Sequence, residues 1–193
     1  MSNQQTVVLL DGGMGQELIK RSANAPTPLW SATVMRDEPD LVTTVHADYI
    51  QADARVITLN NYSATPVRLA KHGLSTAFSE LHQAAITAAQ RAIAQTNPMH
   101  PVAVAGCLPP LVSSYHAEDV PSEAACLADY RALVAAQKDG VNLFLCETLT
   151  TVREVQTAAT AGKESGHPVW VGMTVDDQDG TRLRSGESLA DGV

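Results

Sequence analysis

The chain has 193 residues, of which 45% are hydrophobic and 18% are charged, and its formal net charge is −8. This length and composition predict one globular domain with a substantial core. The negative charge argues against nucleic acid or an anionic membrane surface as a partner. No segment of the sequence approaches the roughly 18 apolar residues of a membrane span, and the first residues lack the pattern of a signal peptide.

Five short apolar stretches predict β-strands, and none of them alternates cleanly between apolar and polar residues. That pattern is typical of parallel strands that are covered on both faces. The stretches are Thr6–Leu10, Arg55–Leu59, Val102–Ala105, Val141–Cys146 and Val169–Thr174.

Helical patterns occupy the segments between these strands. They predict a helix that begins at Pro39, then helices over Ser75 to about Gln95, Pro121 to about Gly140, and Thr151 to about Lys163, and the beginning of another at Glu187. Strand and helix therefore alternate, which implies parallel strands with right-handed crossovers. Two architectures fit: an open doubly wound sheet, which the short length favours, and a (β/α)8 barrel, which usually needs about 250 residues.

The cysteines and histidines do not form a recognisable metal motif. Three cysteines are an odd set without paired spacing, which argues against a secreted disulfide framework and favours a reducing compartment, here the cytoplasm. Cys126 and Cys146 are expected in the core, and a core position is also favoured for Cys107, although it lies at a strand end near any site there. Solvated positions are expected for the scattered histidines His46, His72, His82, His100 and His167.

Polar residues follow the predicted strands at their carboxyl ends, which is the edge where parallel α/β folds bind ligands. They lie at Asp11-Gly12-Gly13, 60–63, 106–110, Glu147-Thr148 and from Thr174 onward. The glycines after Asp11 allow backbone N–H groups to approach a ligand closely. The layout predicts an enzyme site along this edge.

Two acids, Asp11 and Glu147, come directly after apolar strands and are the leading candidate site residues. A pair of carboxylates there could hold a substrate ammonium group or tune a proton transfer. The alternative is that each acid caps the following helix or loop. Asn61 and Tyr62 could donate hydrogen bonds to a substrate carboxylate, with ordinary turn chemistry as their alternative.

Seven segments, in order along the chain, resemble the homocysteine S-methyltransferases, and in particular the members that use S-methylmethionine. They are LLDGGMGQEL at 9–18, PLWSA at 28–32, HADYIQADA at 46–54, ITLNNYSATP at 57–66, VAGCLPP at 104–110, ETL at 147–149 and LRSGESL at 183–189.

The resemblance implies a (β/α)8 TIM barrel of which residues 1–193, read as a single domain, form about the first five βα units. It implies methyl transfer from S-methylmethionine, or from S-adenosylmethionine or a betaine, to the thiol of homocysteine, giving methionine. Asp11, the backbone of Gly12 and Gly13, and Glu147 would hold the amino-acid part of homocysteine, and the loop at Asn61 and Tyr62 would line the pocket.

Zinc is the cofactor that the resemblance implies, because a metal deprotonates the thiol that it coordinates. The family's ligands are three cysteines, one after the sixth strand and an adjacent pair after the eighth. None of the three cysteines here occupies such a position, so this chain is expected to lack the zinc ligands. The alternative is a short, catalytically inactive member that binds an amino acid or self-associates through exposed sheet edges.

Overall fold

The computed structural model describes residues 7–25, 27, 29 and 31–193. Part of the 28–32 motif, Pro28 and Trp30, and the first residue of the first predicted strand, Thr6, lie outside the described residues. The described helices are α1 Met14–Arg21, α2 Ser31–Asp37, α3 Pro39–Gln51, α4 Pro66–Lys71, α5 Phe78–Thr96, α6 Glu123–Gln137 and α7 Val152–Glu164. The strands are β1 Val56–Thr58, β2 Ala103–Leu108, β3 Leu143–Leu149 and β4 Val169–Met173.

The four strands form one parallel sheet in the order β1-β2-β3-β4, which is also their order along the chain. A doubly wound sheet reverses its strand order at a switch point. The described strands show no reversal, so their order is that of consecutive βα units in a barrel. Four of the five predicted strands are confirmed.

The prediction of a first strand at Thr6–Leu10 is wrong for the residues that the structure describes, which form only one β-bridge. Leu10 pairs in parallel with Val56, the Arg55 N–H donates to Leu9 O at 2.8 Å, and the Asp11 N–H donates to Val56 O at 3.0 Å. The apolar run before the bridge does not pack inside, since Val7 is 87% exposed. This segment still lies beside β1, in the position of the preceding βα unit.

The sheet is apolar on both faces, as predicted. The face toward the helices carries Ile57, Val104, Phe144 and Cys146, which belong to one large buried cluster with residues of α3, α5, α6 and α7. The opposite face carries a smaller buried cluster of Val56, Ala105 and Leu143. Because successive side chains of a strand point to opposite faces, both clusters follow from the same short strands.

Local signals explain where the predicted helices begin. Pro39 lies at the first position of α3, where its missing N–H costs no hydrogen bond. Thr151 and Glu154 form a capping box at the start of α7. The prediction from Glu187 is wrong: only a 3-10 helix, Leu189–Gly192, forms there. Helices α1, α2 and α4 were not predicted.

Two histidines contradict the expectation of solvated positions. His46 on α3 and His82 on α5 are both fully buried. His46 follows Val42 by four residues and therefore faces the core with it. Burial without a hydrogen-bond partner among the described atoms lowers the pKa of His46 to about 4, so the ring is neutral.

Within the described part of the chain, no helix is both long and apolar enough to cross a membrane.

Candidate functional site

Asp11 is fixed at the carboxyl edge of the sheet by Thr58, the last residue of β1. The Thr58 N–H donates to Asp11 Oδ2 at 2.6 Å, and the Thr58 hydroxyl donates to Oδ1 at 3.1 Å. Burial, and to a lesser extent the nearby charge of Glu147, raises the pKa of Asp11 to about 6, although the two bonds from Thr58 oppose this shift. The two predicted acids are therefore close enough to interact.

Glu147 lies in β3, and burial raises its pKa above the ordinary value. The Cys107 thiol donates a hydrogen bond to Glu147 Oε1 at 2.9 Å across neighbouring strands. Among the described residues, neither Glu147 nor Asp11 forms an ion pair with a Lys or Arg side chain. The site therefore holds two partly buried acids without a resident cation.

The backbone just after Glu147 is unusual. Thr148 has a φ of 63°, a left-handed conformation that is costly for a β-branched residue. The pairing of β3 with β4 shifts register between Cys146 and Leu149, so the strand bulges at this place. Bulges and positive-φ residues of this kind concentrate next to active sites.

Asn61 is fully buried beside this pair of strands. Its Nδ2 donates to the carbonyl of Cys107 at 3.5 Å, whereas its Oδ1 has no hydrogen-bond partner among the described atoms. A buried carbonyl oxygen without a donor is costly, so it is a position where a ligand N–H would be favourable.

Tyr62 links the loop after β1 to the loop after β2. Its hydroxyl is 2.7 Å from the Ser114 hydroxyl. The Arg68 guanidinium lies 5.3 Å from the centre of the Tyr62 ring and donates to Pro110 O at 3.0 Å. Tyr62 is thereby held between these two loops.

Gly12 and Gly13 lead from Asp11 into α1, and both are exposed. A Cβ atom at Gly12 would lie 2.9 Å from the Tyr49 hydroxyl and 3.0 Å from the ring edge. Only glycine therefore fits beside the present position of Tyr49. Gly13 is the residue before the first turn of α1, and its carbonyl accepts the Glu17 N–H at 3.3 Å.

The structure brings together Asp11, Glu147, Asn61 and Tyr62 through residues that sequence reasoning did not select. These are Thr58 and Cys107, which contact Asp11 and Glu147 respectively. Thr58 gave a weak signal, a hydroxyl at the end of an apolar strand. Cys107 gave a signal through its place at a strand end, but its contact with Glu147 depends on the pairing of two strands and gave none.

The described residues do not form a metal centre. No group of three or more His, Cys, Asp or Glu side chains among them could hold an ion. Cys107, Cys126 and Cys146 are free and buried, as expected. This part of the chain offers hydrogen-bond acceptors for a cationic group and does not fit a zinc ion.

A family model described as homocysteine S-methyltransferase matches residues 8–193. The homocysteine S-methyltransferase of Escherichia coli (strain K12) is 33% identical over 209 residues, which cover 98% of this chain and 67% of that protein. Homocysteine S-methyltransferase 3 of Zea mays is 29% identical, with 94% of this chain and 60% of that protein covered. The chain thus spans about two thirds of the length of these relatives.

A solved structure gives the same result. The crystal structure of the homocysteine methyltransferase MmuM from Escherichia coli, in its metallated form, matches with a TM-score of 0.86 at 31% identity. The match covers 98% of this chain and 69% of that one.

Consecutive parallel βα units with acids at their carboxyl edge define a protein of the TIM-barrel class, in which this chain forms part of the barrel. The chain belongs to the homocysteine S-methyltransferase family, because the family model spans nearly all of it.

Proposed function

We propose that this chain binds homocysteine for methyl transfer from S-methylmethionine, or from S-adenosylmethionine, to its thiol, giving methionine. The observation that carries the proposal is the pair of partly buried carboxylates, Asp11 and Glu147, that interact at the carboxyl edge of the sheet. The relatives that match are named as methyltransferases, so an inactive amino-acid-binding member is not favoured.

The two acids suit the ammonium group of an amino acid. Burial raises the pKa of both, which means that each carboxylate is short of stabilising partners when it is ionised. An ammonium group placed between them would supply both charge and donors. The partnerless Oδ1 of Asn61 would accept a further N–H, and the Tyr62 hydroxyl could donate to the substrate carboxylate.

The transfer step forms one bond and breaks one. The homocysteine thiolate sulfur attacks the methyl carbon of the sulfonium donor, and the electron pair of the broken S–CH3 bond stays on the donor sulfur. A positive and a negative charge disappear together, which a site shielded from water favours. S-methylmethionine is the preferred donor in this proposal because of the resemblance at 28–32.

The described residues bind and orient the amino acid in this scheme, and no step is assigned to a metal. Zinc is a proposal for the family chemistry, supported by the metallated form of the Escherichia coli relative. Metal analysis of the purified protein checks it. A metal-free preparation that methylates homocysteine would contradict it.

The binding proposal is tested by calorimetry with two ligands. L-homocysteine should bind, whereas 4-sulfanylbutanoate, which keeps the thiol and carboxylate but lacks the amino group, should bind at least about tenfold more weakly. Equal affinities would show that the acids do not hold the ammonium group. No binding of homocysteine would overturn the proposed function.

Self-association through a sheet edge is a second proposal. Strand β4 pairs with β3 on one side, and Trp170 and Val171 of β4 are 41% and 38% exposed. Exposed strand edges favour pairing with another chain. Light scattering should then show a dimer that Val171→Lys converts to a monomer; a monomer at all concentrations would contradict this.

We also propose that the protein is located in a reducing compartment such as the cytoplasm. All three cysteines are free thiols in the structure, which supports it. Cell fractionation with an antibody to the natural protein is the direct test.

A further inference from the structure

Cys107 lies on β2, and its thiol contacts Glu147 of the neighbouring strand β3. It is completely buried, and its Cα atom pairs with that of Leu145, two residues before Glu147. Side chains two residues apart on a strand point to the same face, so Cys107 and Glu147 share the face of the sheet opposite the helices. The 2.9 Å distance from Sγ to Oε1 follows from this register.

The proton of this hydrogen bond resides on sulfur. Burial raises the pKa of the Cys107 thiol well above its ordinary value, and the negative charge of Glu147 acts in the same direction. The residue is therefore an S–H group at neutral pH, and it donates. A donor aimed at a carboxylate favours the ionised carboxylate, and here it opposes the effect of burial on Glu147.

The backbone of Cys107 is anchored as well as its side chain. Its carbonyl accepts Gln137 Nε2 at 3.2 Å and Asn61 Nδ2 at 3.5 Å. Asn61 is the residue whose buried Oδ1 has no partner among the described atoms. Cys107 thus connects Asn61 and Glu147, two side chains that can still accept further hydrogen bonds.

We propose that Cys107 is a positioning residue, whose thiol holds the Glu147 carboxylate in the orientation that receives the substrate ammonium group. The proposal rests on the proposed function, because it assumes that Glu147 meets an ammonium group. Cys107 acts through Glu147 and is itself neither a nucleophile nor a metal ligand. This gives a role in the site to a cysteine for which the sequence favoured a core position.

The first test follows the titration of Glu147 itself, by carbon-detected NMR of the ligand-free chain labelled at its glutamate carboxyls. Cys107→Ala should raise the Glu147 pKa by about half a unit or more, because the donor is lost. Cys107→Ser keeps a donor and should stay close to the unsubstituted chain. Glu147→Gln assigns the signal.

A matched control comes from another buried thiol. Cys126 on α6 donates to Pro121 O at 3.4 Å and makes no bond to the site acids. Cys126→Ala should therefore leave the Glu147 titration unchanged, although it also removes a buried sulfur. If Cys107→Ala does not fold, Cys107→Val fills the space without a donor and replaces it.

The second test is the affinity for homocysteine as a function of pH. Cys107→Ala should bind homocysteine about three- to tenfold more weakly. As the pH is lowered, the variant should also lose its affinity at a higher pH than the unsubstituted chain, because its Glu147 has the higher pKa. Cys107→Ser should recover most of the affinity. An unchanged Glu147 titration in Cys107→Ala overturns the positioning role, whereas absence of binding in the unsubstituted chain overturns the proposed function.

Discussion

Glu147 lies at the carboxyl edge of the sheet, and Glu154 lies seven residues later at the start of α7. The two acids differ in how many hydrogen bonds the protein donates to them. Glu154 is 2% exposed, and its Oε2 accepts four hydrogen bonds, from the N–H and hydroxyl groups of Thr150 and Thr151. Glu147 shows one, from the Cys107 thiol, among the described residues.

This difference indicates that Glu154 stabilises the fold, whereas Glu147 is available to bind a ligand. Buried polar groups are normally satisfied by the protein, as Glu154 is. A buried carboxylate with one weak donor is stable only at a cost, and its raised pKa records that cost. Substitutions of these acids and of the residues that contact them test this difference.

Glu154→Ala should have the largest effect, a loss of about 3 kcal/mol in the free energy of unfolding. It removes the capping box of α7 and leaves the buried N–H groups of Thr150 and Thr151 without an acceptor. Urea unfolding measures the change. Glu164→Ala, at the exposed end of the same helix, is the control and should change little. Equal effects in the two variants would remove the structural role of Glu154.

Asp11 should make stability depend on pH by about 2 kcal/mol. Its pKa is about 6 in the folded protein against an ordinary 3.8, so the folded state binds more protons than the unfolded chain between these values. The contribution of Asp11 to stability is therefore most favourable at low pH and is lost as the pH rises through about 6. Asp11→Asn should remove this slope.

The measurement is urea unfolding of both proteins from about pH 4 to pH 7, and the difference between the two curves isolates Asp11 from the other carboxyls. Parallel curves would show that Asp11 is not buried as described.

Glu147→Gln should weaken homocysteine binding about tenfold, which corresponds to about 1.4 kcal/mol, and should leave stability unchanged or raised. The amide keeps the shape of the side chain but loses the charge that meets the ammonium group. Calorimetry measures the affinity, with Glu164→Gln as the matched charge control. If Glu147→Gln unfolds the protein while Glu154→Gln does not, the roles of the two acids are reversed.

Thr150→Val should have the smallest effect, a loss of about 1 kcal/mol in the free energy of unfolding. It deletes one of the four donors to Glu154, the hydroxyl at 2.9 Å, and retains the volume and the N–H bond. Thermal unfolding measures it. An unchanged melting temperature would mean that the remaining three donors already satisfy Glu154.

The sequence predicts the part of the fold that depends on local patterns. The strands at 55–59 and 169–174 and the helix from Thr151 follow from apolar runs and starting signals, and the structure contains them. The candidate acids are found because each follows an apolar run of the sequence, although Glu147 lies within β3 and only a bridge precedes Asp11. Helix α4 is missed because it is only six residues long, although Thr65 caps it.

What the sequence does not predict depends on pairing between distant segments. The bond from Cys107 to Glu147 joins residues 40 apart and exists only in one register of β2 and β3. The burial of His46 depends on which side of α3 meets α5. Thr148 gives no warning of its positive φ, because glycine is the usual signal for that conformation.

The bulge in β3 changes how the strand could be transplanted into another barrel. Phe144, Cys146 and Leu149 all pack in the helix-side core, although strict alternation would place Leu149 on the opposite face. The register shift between Cys146 and Leu149 adds one residue to β3, and Thr148 has a positive φ within it. If Glu147 were copied into another barrel without Thr148, every following side chain of the strand would point to the opposite face of the sheet. The whole strand, including its bulge, would therefore have to be transferred together.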